Sequence, residues 1–386
     1  MRKILYIQVG IGFLFVNRNV IEQLKKHYPD HEIELFDLLP SFRMNPALVL
    51  INLFYVVKEY FRDFITFDKN LLKIKYHFLG TTYIFNQFSR MISEKVKGGN
   101  YDFIIQSQCL SDASGNGIPV YIYTDHTNLN NLNYKFIKHS KFMRSEEYLM
   151  LEKKAFMNAT LIFVMSPNIR RSLIEQYRIP ESKIKLVYVG SNTGDPTKVD
   201  SSKYSNKNII FVGKEWERKG GPLLVAAFRK VLEQVPDATL TIVGCRPFLN
   251  VKNCKVLGEI SLKEVAEQYE RASVFCLPTV REPFGIVFIE AMFNRLPIVT
   301  NNMGAAPFLV TPNNGYLLEN DVNEYCKALV TLLTNPGLCE EFGEESLRIA
   351  KEYYTWKNVG AQMARYIGTA SGQVKEKANN YTNSLS

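Results

Sequence analysis

Two carboxylates separated by seven residues, Glu282 and Glu290, stand in the run REPFGIVFIEA (281–291), directly after the apolar stretch VFCLP. Pro283 and Gly285 mark a tight turn. IVFIEAMF then reads as a helix that is apolar almost all round, so its first N–H groups face the space above a sheet and suit a phosphate. Glu290 falls about one turn inside that helix, where a carboxylate accepts hydrogen bonds from a diol such as a ribose 2′,3′ pair. Glu282 precedes the helix, nearer a reacting group. A helix-start charge and a surface glutamate would give the same spacing. The flanks of Glu290 are apolar, however, and a lone buried carboxylate is expensive.

Three cations, Lys214, Arg218 and Lys219, share the loop FVGKEWERKGG (211–221) between the strand-like NIIFV and the helix-like PLLVAAF. They are expected to converge there and to balance a diphosphate, although a solvated basic turn has the same composition. The Gly220-Gly221 pair adds a place where backbone comes close to something. A third group, YIYTDHT (121–127), ends a strand where open α/β sheets place ligand-binding residues. His126 there suits a hydroxyl or a developing charge, or a structural role. The first turn, Gly10-Ile11-Gly12, has Phe15 where a GxGxxG motif needs its third glycine, so it indicates close backbone approach rather than a dinucleotide.

Among 386 residues, 46% are hydrophobic and 22% charged, an ordinary globular balance for two domains. A net charge of +9 favours anionic partners. No nucleic-acid motif accompanies it, and no nucleic acid is expected as a partner. There is no GxxxxGK[ST], HExxH, EF-hand or DxD pattern. A metal-free site without a cofactor is therefore expected. The six cysteines form no CxxC pair and read as reduced core residues in the cytosol.

These groups need a scaffold, and apolar β-rich runs alternating with amphipathic helical stretches predict α/β units with parallel sheets. KILYIQV, EIELFDL, DFIIQS, IPVYIYT, ATLIFVMS and IKLVYVG are strands of the first half; NIIFVG, ATLTIVG, VFCLPT and PIVTN belong to the second. The polar stretch 190–208 is the expected hinge. The predicted divisions are 1–195, 206–352, a closing helix over 353–369 and a disordered tail over 370–386. MRKILYIQVGIGFLFV reads as a first strand and turn rather than as a secretion signal. No run reaches the ~20 apolar residues that span a bilayer. Residues 42–97 are dense in aromatic, aliphatic and basic types. They read either as two amphipathic helices packed on the first sheet or as a surface meeting a membrane or lipid-linked acceptor.

Over roughly 119–356 these motifs resemble the retaining glycosyltransferase family 4, whose members have the GT-B fold of two facing Rossmann-like domains. Its E-x7-E pattern is met by Glu282 and Glu290 with Phe284 and Gly285 between them, and its basic residues by Lys214 and Lys219. The resemblance implies that Lys214 and Lys219 neutralise a donor diphosphate, Glu290 holds the ribose and Glu282 contacts the transferring sugar. Phe284, Gly285 and Ile286 would add backbone contacts, Gly258 and Ile260 would neighbour the base, and Gly12 and His126 would serve from the first half. Three positions depart from the pattern: Lys214 replaces an arginine, Arg295 a glycine and Phe308 a glutamate. The implied activity is retaining transfer of a hexose from a nucleotide-sugar donor to a glycan, lipid-linked or small-molecule acceptor. The chain would work in the cytoplasm or at the inner face of the membrane, in making cell-envelope polysaccharide or glycolipid. A sugar-nucleotide epimerase and a non-catalytic subunit of the same fold are the alternatives.

Overall fold

The computed structural model describes residues 2–10, 12–66, 77–135, 143–193 and 200–370, with the side chains of 62–66 left aside. The expected tail beyond 370 and the hinge centre 194–199 lie outside these residues.

Six parallel strands form each of two sheets. The first runs β2-β1-β3-β4-β5-β6, from β1 (Arg2–Gln8), β2 (His31–Asp37), β3 (Tyr101–Ser107), β4 (Val120–Thr124), β5 (Leu161–Val164) and β6 (Ile184–Leu186). The second runs β12-β11-β10-β7-β8-β9, from β7 (Asn208–Val212), β8 (Thr239–Val243), β9 (Cys254–Gly258), β10 (Val274–Leu277), β11 (Ile298–Asn301) and β12 (Gly315–Leu318). Helices cover both faces, so the central strands are buried on both sides and read as unbroken apolar runs; β4, VYIYT, is buried at every position, while the edge strands β2 and β9 are not. The expected strand IKLVYVG ends early, since β6 stops at Leu186 and Tyr188 takes φ +62°.

Each sheet has a switch point where the strand order reverses: β1 beside β3 in the first, β7 beside β10 in the second. The loops leaving such neighbours diverge and open a crevice at their carboxyl ends. The sequence units thus place Gly12 and Gln108 at one crevice, and the Lys214–Lys219 loop and Glu282 at the other.

The last helix, Trp356–Ala370, leaves the second half and packs on the Leu14–His27 helix of the first. Trp356 Nε1 donates to Ser191 O at 2.8 Å, beside the expected hinge. Arg295, where the family pattern has glycine, sits at φ +50°, a left-handed conformation that explains a glycine there. Its guanidinium pairs with Glu344 at 2.7 Å.

The region 42–97 meets only half of the two-amphipathic-helix reading. The Thr82–Lys97 helix packs conventionally, burying Ile84, Phe85, Phe88, Ile92 and Val96. The Pro46–Thr66 helix is apolar on both faces: Asn52, Val56 and Tyr60 face inward, while Leu50, Phe54, Val57 and Phe61 face solvent. Polar contacts hold the inner face. Asn52 Nδ2 donates to Phe78 O at 2.8 Å, and Glu59 accepts from Thr82 Oγ1 at 2.6 Å. Residues 67–76 lie outside the described part. Among the described residues, no helix is long and apolar enough to cross a membrane.

Candidate active site

The crevice of the second sheet is closed at its floor by two backbone loops in contact. Gly220 (φ +75°) caps the Gly221–Gln234 helix, and a Cβ there would lie 1.8 Å from Pro278 O, so no side chain fits. Val280 N donates to Arg218 O at 2.9 Å, and Arg218 Nη1 donates to Arg281 O at 2.6 Å. These bonds fix the loop after β7 against the loop after β10.

That zipper brings Lys219 onto Glu282. The two side chains form a hydrogen-bonded ion pair, each only 9% exposed, and Arg218 lies 3.7 Å from the same carboxylate. Removing either partner of such a buried pair leaves a desolvated charge. Arg218 is further held by Glu215 at 2.8 Å; this contact keeps the guanidinium charged and the Glu215 carboxyl below its ordinary range against burial.

The three cations expected to converge are instead divided. Lys214 is 75% exposed and reaches Glu259 at 3.1 Å, just past the end of β9. It therefore stands with Gly258 and Ile260 rather than with Lys219. Gly258 takes φ +73°, and a Cβ on it would strike the Arg246 side chain, which lies across this strand end. The physical reason is the sheet order: β9 and β10 lie on opposite sides of β7, so a loop leaving β7 sends residues either way.

Gly285 (φ +83°) starts the Ile286–Phe293 helix, and a Cβ there would crowd Phe288 and Glu282. The Phe284 ring is buried against Tyr354, which leaves its backbone to line the turn, as it does for Gly285 and Ile286. Glu290 is buried within this helix, accepting from Tyr269 Oη at 3.2 Å. Burial raises its carboxyl to about 7, against the hydrogen bond from Tyr269 and the Lys219 charge. Tyr269 carried no signal in the sequence, since one tyrosine in an amphipathic helix is an ordinary core residue.

Across the cleft, Thr124 Oγ1 accepts from the His126 backbone N–H at 3.1 Å and turns the chain at the end of β4. Burial, then Arg281, then Arg144 lower the His126 imidazole to about 3, so it is neutral at pH 7. Its buried Nδ1 has no hydrogen-bond partner. Asp125 accepts from Gln108 Nε2 at 3.0 Å, and burial raises its carboxyl to about 6, with Glu282 of the other half adding to the shift. Gln108 itself sits at φ +66°, a conformation costly for a residue with a side chain. Gly12 lies exposed in the turn after β1, where a Cβ would meet nothing within 4 Å; of that first turn, Gly10 makes the closer approach, its N–H donating to Asp37 at 2.8 Å.

The halves touch at this cleft. Arg281 Nε donates to Asn131 at 3.0 Å, and Asn168 Nδ2 lies 3.5 Å from Pro283 O. Among the described residues, no group of three or more His, Cys, Asp or Glu could hold a metal ion.

Comparison with known proteins gives these features a family. Residues 206–335 match the profile of glycosyl transferases group 1. Spore coat protein SA of Bacillus subtilis is 26% identical over 52% of this chain, and the match spans 63% of its own length. The chain thus spans less than two thirds of the first curated relatives it matches. Sucrose-phosphate synthase from Thermosynechococcus elongatus superposes with a TM-score of 0.72 at 18% identity, covering 97% of this chain and all of that one. Anabaena HepE, solved in complex with UDP and glucose, superposes at 0.65 and 17% identity, covering 96% of this chain and 100% of its own. The profile falls on the sheet that carries Lys219, Glu282 and Glu290, and the two-sheet architecture matches these structures over nearly the whole chain: residues 206–335 match the glycosyl transferases group 1, and the chain has the GT-B fold.

Proposed function

We propose that the chain transfers a hexose from a nucleotide-sugar donor, held by the second sheet, to a glycan, lipid-linked or small-molecule acceptor on the first-sheet side, with retention of configuration and without a metal or cofactor. The observation that carries this reading is the buried Lys219–Glu282 pair at the switch point, flanked by Arg218. A diphosphate entering the crevice competes with Glu282 for the Lys219 ammonium and frees that carboxylate towards the sugar. Lys219 and Arg218 then meet the charge that grows on the diphosphate as it departs. One cation at about 4 Å contributes up to ~4 kcal/mol at an effective dielectric near 20, before desolvation is subtracted. Glu290 accepts from the ribose, Lys214 and the Gly258–Ile260 edge flank the nucleotide, and the neutral His126 hydrogen-bonds a sugar hydroxyl. UDP and glucose in the HepE structure support this class of donor.

Calorimetric titration with UDP, GDP and ADP, with and without EDTA, tests the donor site. Binding of one of them, unchanged by EDTA and weakened by Glu290→Ala, is expected; no binding by any overturns the reading. Anomeric configuration of the product, read by NMR, tests retention. Donor consumption without any acceptor would favour the epimerase.

A peripheral membrane contact on the cytoplasmic face is supported by the outward apolar face of the Pro46–Thr66 helix, where Phe54 is 64% exposed and Lys58 is exposed beside it, with Arg43 exposed just before the helix. Sedimentation with anionic vesicles that is lost in Phe54→Ser is the expected result, and equal sedimentation of both proteins removes this contact.

A further inference from the structure

A cavity of about 280 Å³ opens at the amino ends of the first-sheet strands, lined by Arg2 of β1, Tyr28 and His31 around the start of β2, Asp102 and Phe103 of β3, Tyr121 of β4 and Ile367 of the last helix. An apolar cavity of roughly 150 Å³ holds benzene, so this one has room for a ring with about twice as many heavy atoms, the size of a hexopyranose. The crevice lies at the other end of the same strands. From Tyr121 at the cavity, β4 runs to the turn that carries His126, roughly 15 to 20 Å away at ~3.3 Å per residue. An occupant of the cavity is therefore not the group that reacts.

The lining combines an aromatic wall with polar atoms that the protein leaves unused. Tyr28 meets Phe103 edge-on with ring centroids 5.2 Å apart and His31 at 5.5 Å, and Phe103 meets Tyr121 at 5.6 Å. Tyr121 is 1% exposed, yet neither its hydroxyl nor that of Tyr28 has a hydrogen-bond partner among the described residues. Burial raises both phenols to about 12, and Tyr121 adds to the rise at Tyr28, which puts the two hydroxyls near each other. His31 Nε2 lies 2.9 Å from Asp102, and its buried Nδ1 is without a partner. The charges, by contrast, are matched, since Asp102 takes both His31 and Arg2, the latter at 3.7 Å. Matched charges favour a neutral occupant. A purely apolar one would leave two phenols and an imidazole nitrogen unpaired.

We propose that this cavity is a second carbohydrate site that takes one neutral pyranose ring, its C–H face on the aromatic wall and its hydroxyls on Tyr28, Tyr121 and His31. Rings that offer an apolar face and a polar tip, with a few placed hydrogen-bonding groups, suit such a ligand. The site goes beyond the donor reading and does not depend on it. Ile367 belongs to the helix that leaves the second half and packs on the Leu14–His27 helix, so a sugar here also touches that closing helix.

The test titrates the full chain with the methyl α-pyranosides of glucose, galactose and mannose, read by saturation-transfer NMR. At least one is expected to bind, more tightly than its uronate, and glycerol is expected not to bind. Tyr121→Phe and, independently, Tyr28→Phe are each expected to weaken that binding about fivefold, the loss of one hydrogen bond. Both are expected to keep the melting temperature of the sugar-free protein, because neither hydroxyl bonds within it; either folded variant suffices. Glu290→Ala, in the crevice, is expected to leave sugar binding intact. A trisaccharide of the preferred sugar distinguishes the source: binding at least as tight supports a unit of a glycan chain, and loss of binding supports a free monosaccharide. Failure of all three pyranosides, equal binding of glycerol or tighter binding of the uronate overturns the proposal. So does binding that responds to Glu290→Ala and not to the tyrosine variants, which would put the sugar in the crevice. No nucleotide enters these titrations, so failure of the donor reading leaves this site standing and the reverse holds as well.

Discussion

The two walls of the cleft handle charge in opposite ways. On the second-sheet wall, Glu290 apart, charges are kept and cancelled locally: Lys219 on Glu282, Arg218 on Glu215, Lys214 on Glu259. On the first-sheet wall, titratable groups are pushed towards neutrality by burial, His126 to about 3 and Asp125 to about 6. A wall of paired charges is suited to exchanging one anion for another, since an incoming diphosphate replaces a carboxylate already desolvated. A wall whose titratable groups are drawn towards neutrality is suited to holding hydroxyls, whose recognition depends on direction more than on charge.

The sharpest way to break this contrast is to remove one partner of the buried pair. Lys219→Ala is expected to slow transfer by ~10²-fold, about 2.7 kcal/mol of leaving-group stabilisation, and to lower the melting temperature because Glu282 is left unpaired. Adding Glu282→Gln is expected to restore the melting temperature but not the turnover. Unchanged steady-state turnover in the single variant would remove the role of Lys219.

Glu290→Ala is expected to weaken nucleotide binding by about tenfold, with the smaller effect on turnover, because a ribose contact is present in ground and transition states alike. A turnover defect with unchanged affinity contradicts it. The same residue gives a pH test. Its folded value, near 7, is raised above the ordinary carboxyl value, so its contribution to stability is complete below about 4.5 and is lost as pH rises through about 7. Ribose hydroxyls donate to the ionised form. Nucleotide binding is therefore expected to release protons and to tighten as pH rises between about 5 and 7. Titrations in two buffers of different ionisation enthalpy measure that release, and equal heats in both would detach Glu290 from the ribose.

The smallest expected effect crosses the cleft. Glu282 raises the Asp125 carboxyl, so Glu282→Gln should lower it, read by carboxyl NMR titration. An unmoved Asp125 would mean that the walls do not sense each other.

The two walls also differ in how legible they are in the sequence. Glu282, Gly285 and Glu290 belong to one turn and one helix, so spacing alone places them together. The first-sheet wall draws on residues 108, 126, 144 and 152, which leave different elements and share no motif. His126 was visible as a polar residue at a strand end and through the family resemblance. Gln108, Arg144 and Arg281 became visible as a group only once the fold brought them to one cavity between the halves. Hydropathy likewise identifies Pro46–Thr66 as an apolar helix but says nothing of which face turns inward. Asn52, Glu59 and Tyr60 decide that by bonding to the segment 78–82.

The alternation of apolar strands and amphipathic helices is a local property, and by itself it determined the α/β class, two units and the candidate turns. Which turns meet was decided by strand order, which no local pattern encodes. Placing β7 beside β10 carried Lys219 to Glu282 across 63 positions of chain, and placing β9 on the far side sent Lys214 to Glu259. One loop of three cations thereby became two sites, because a side chain's partner is set by the strands that flank its own rather than by its neighbours in sequence.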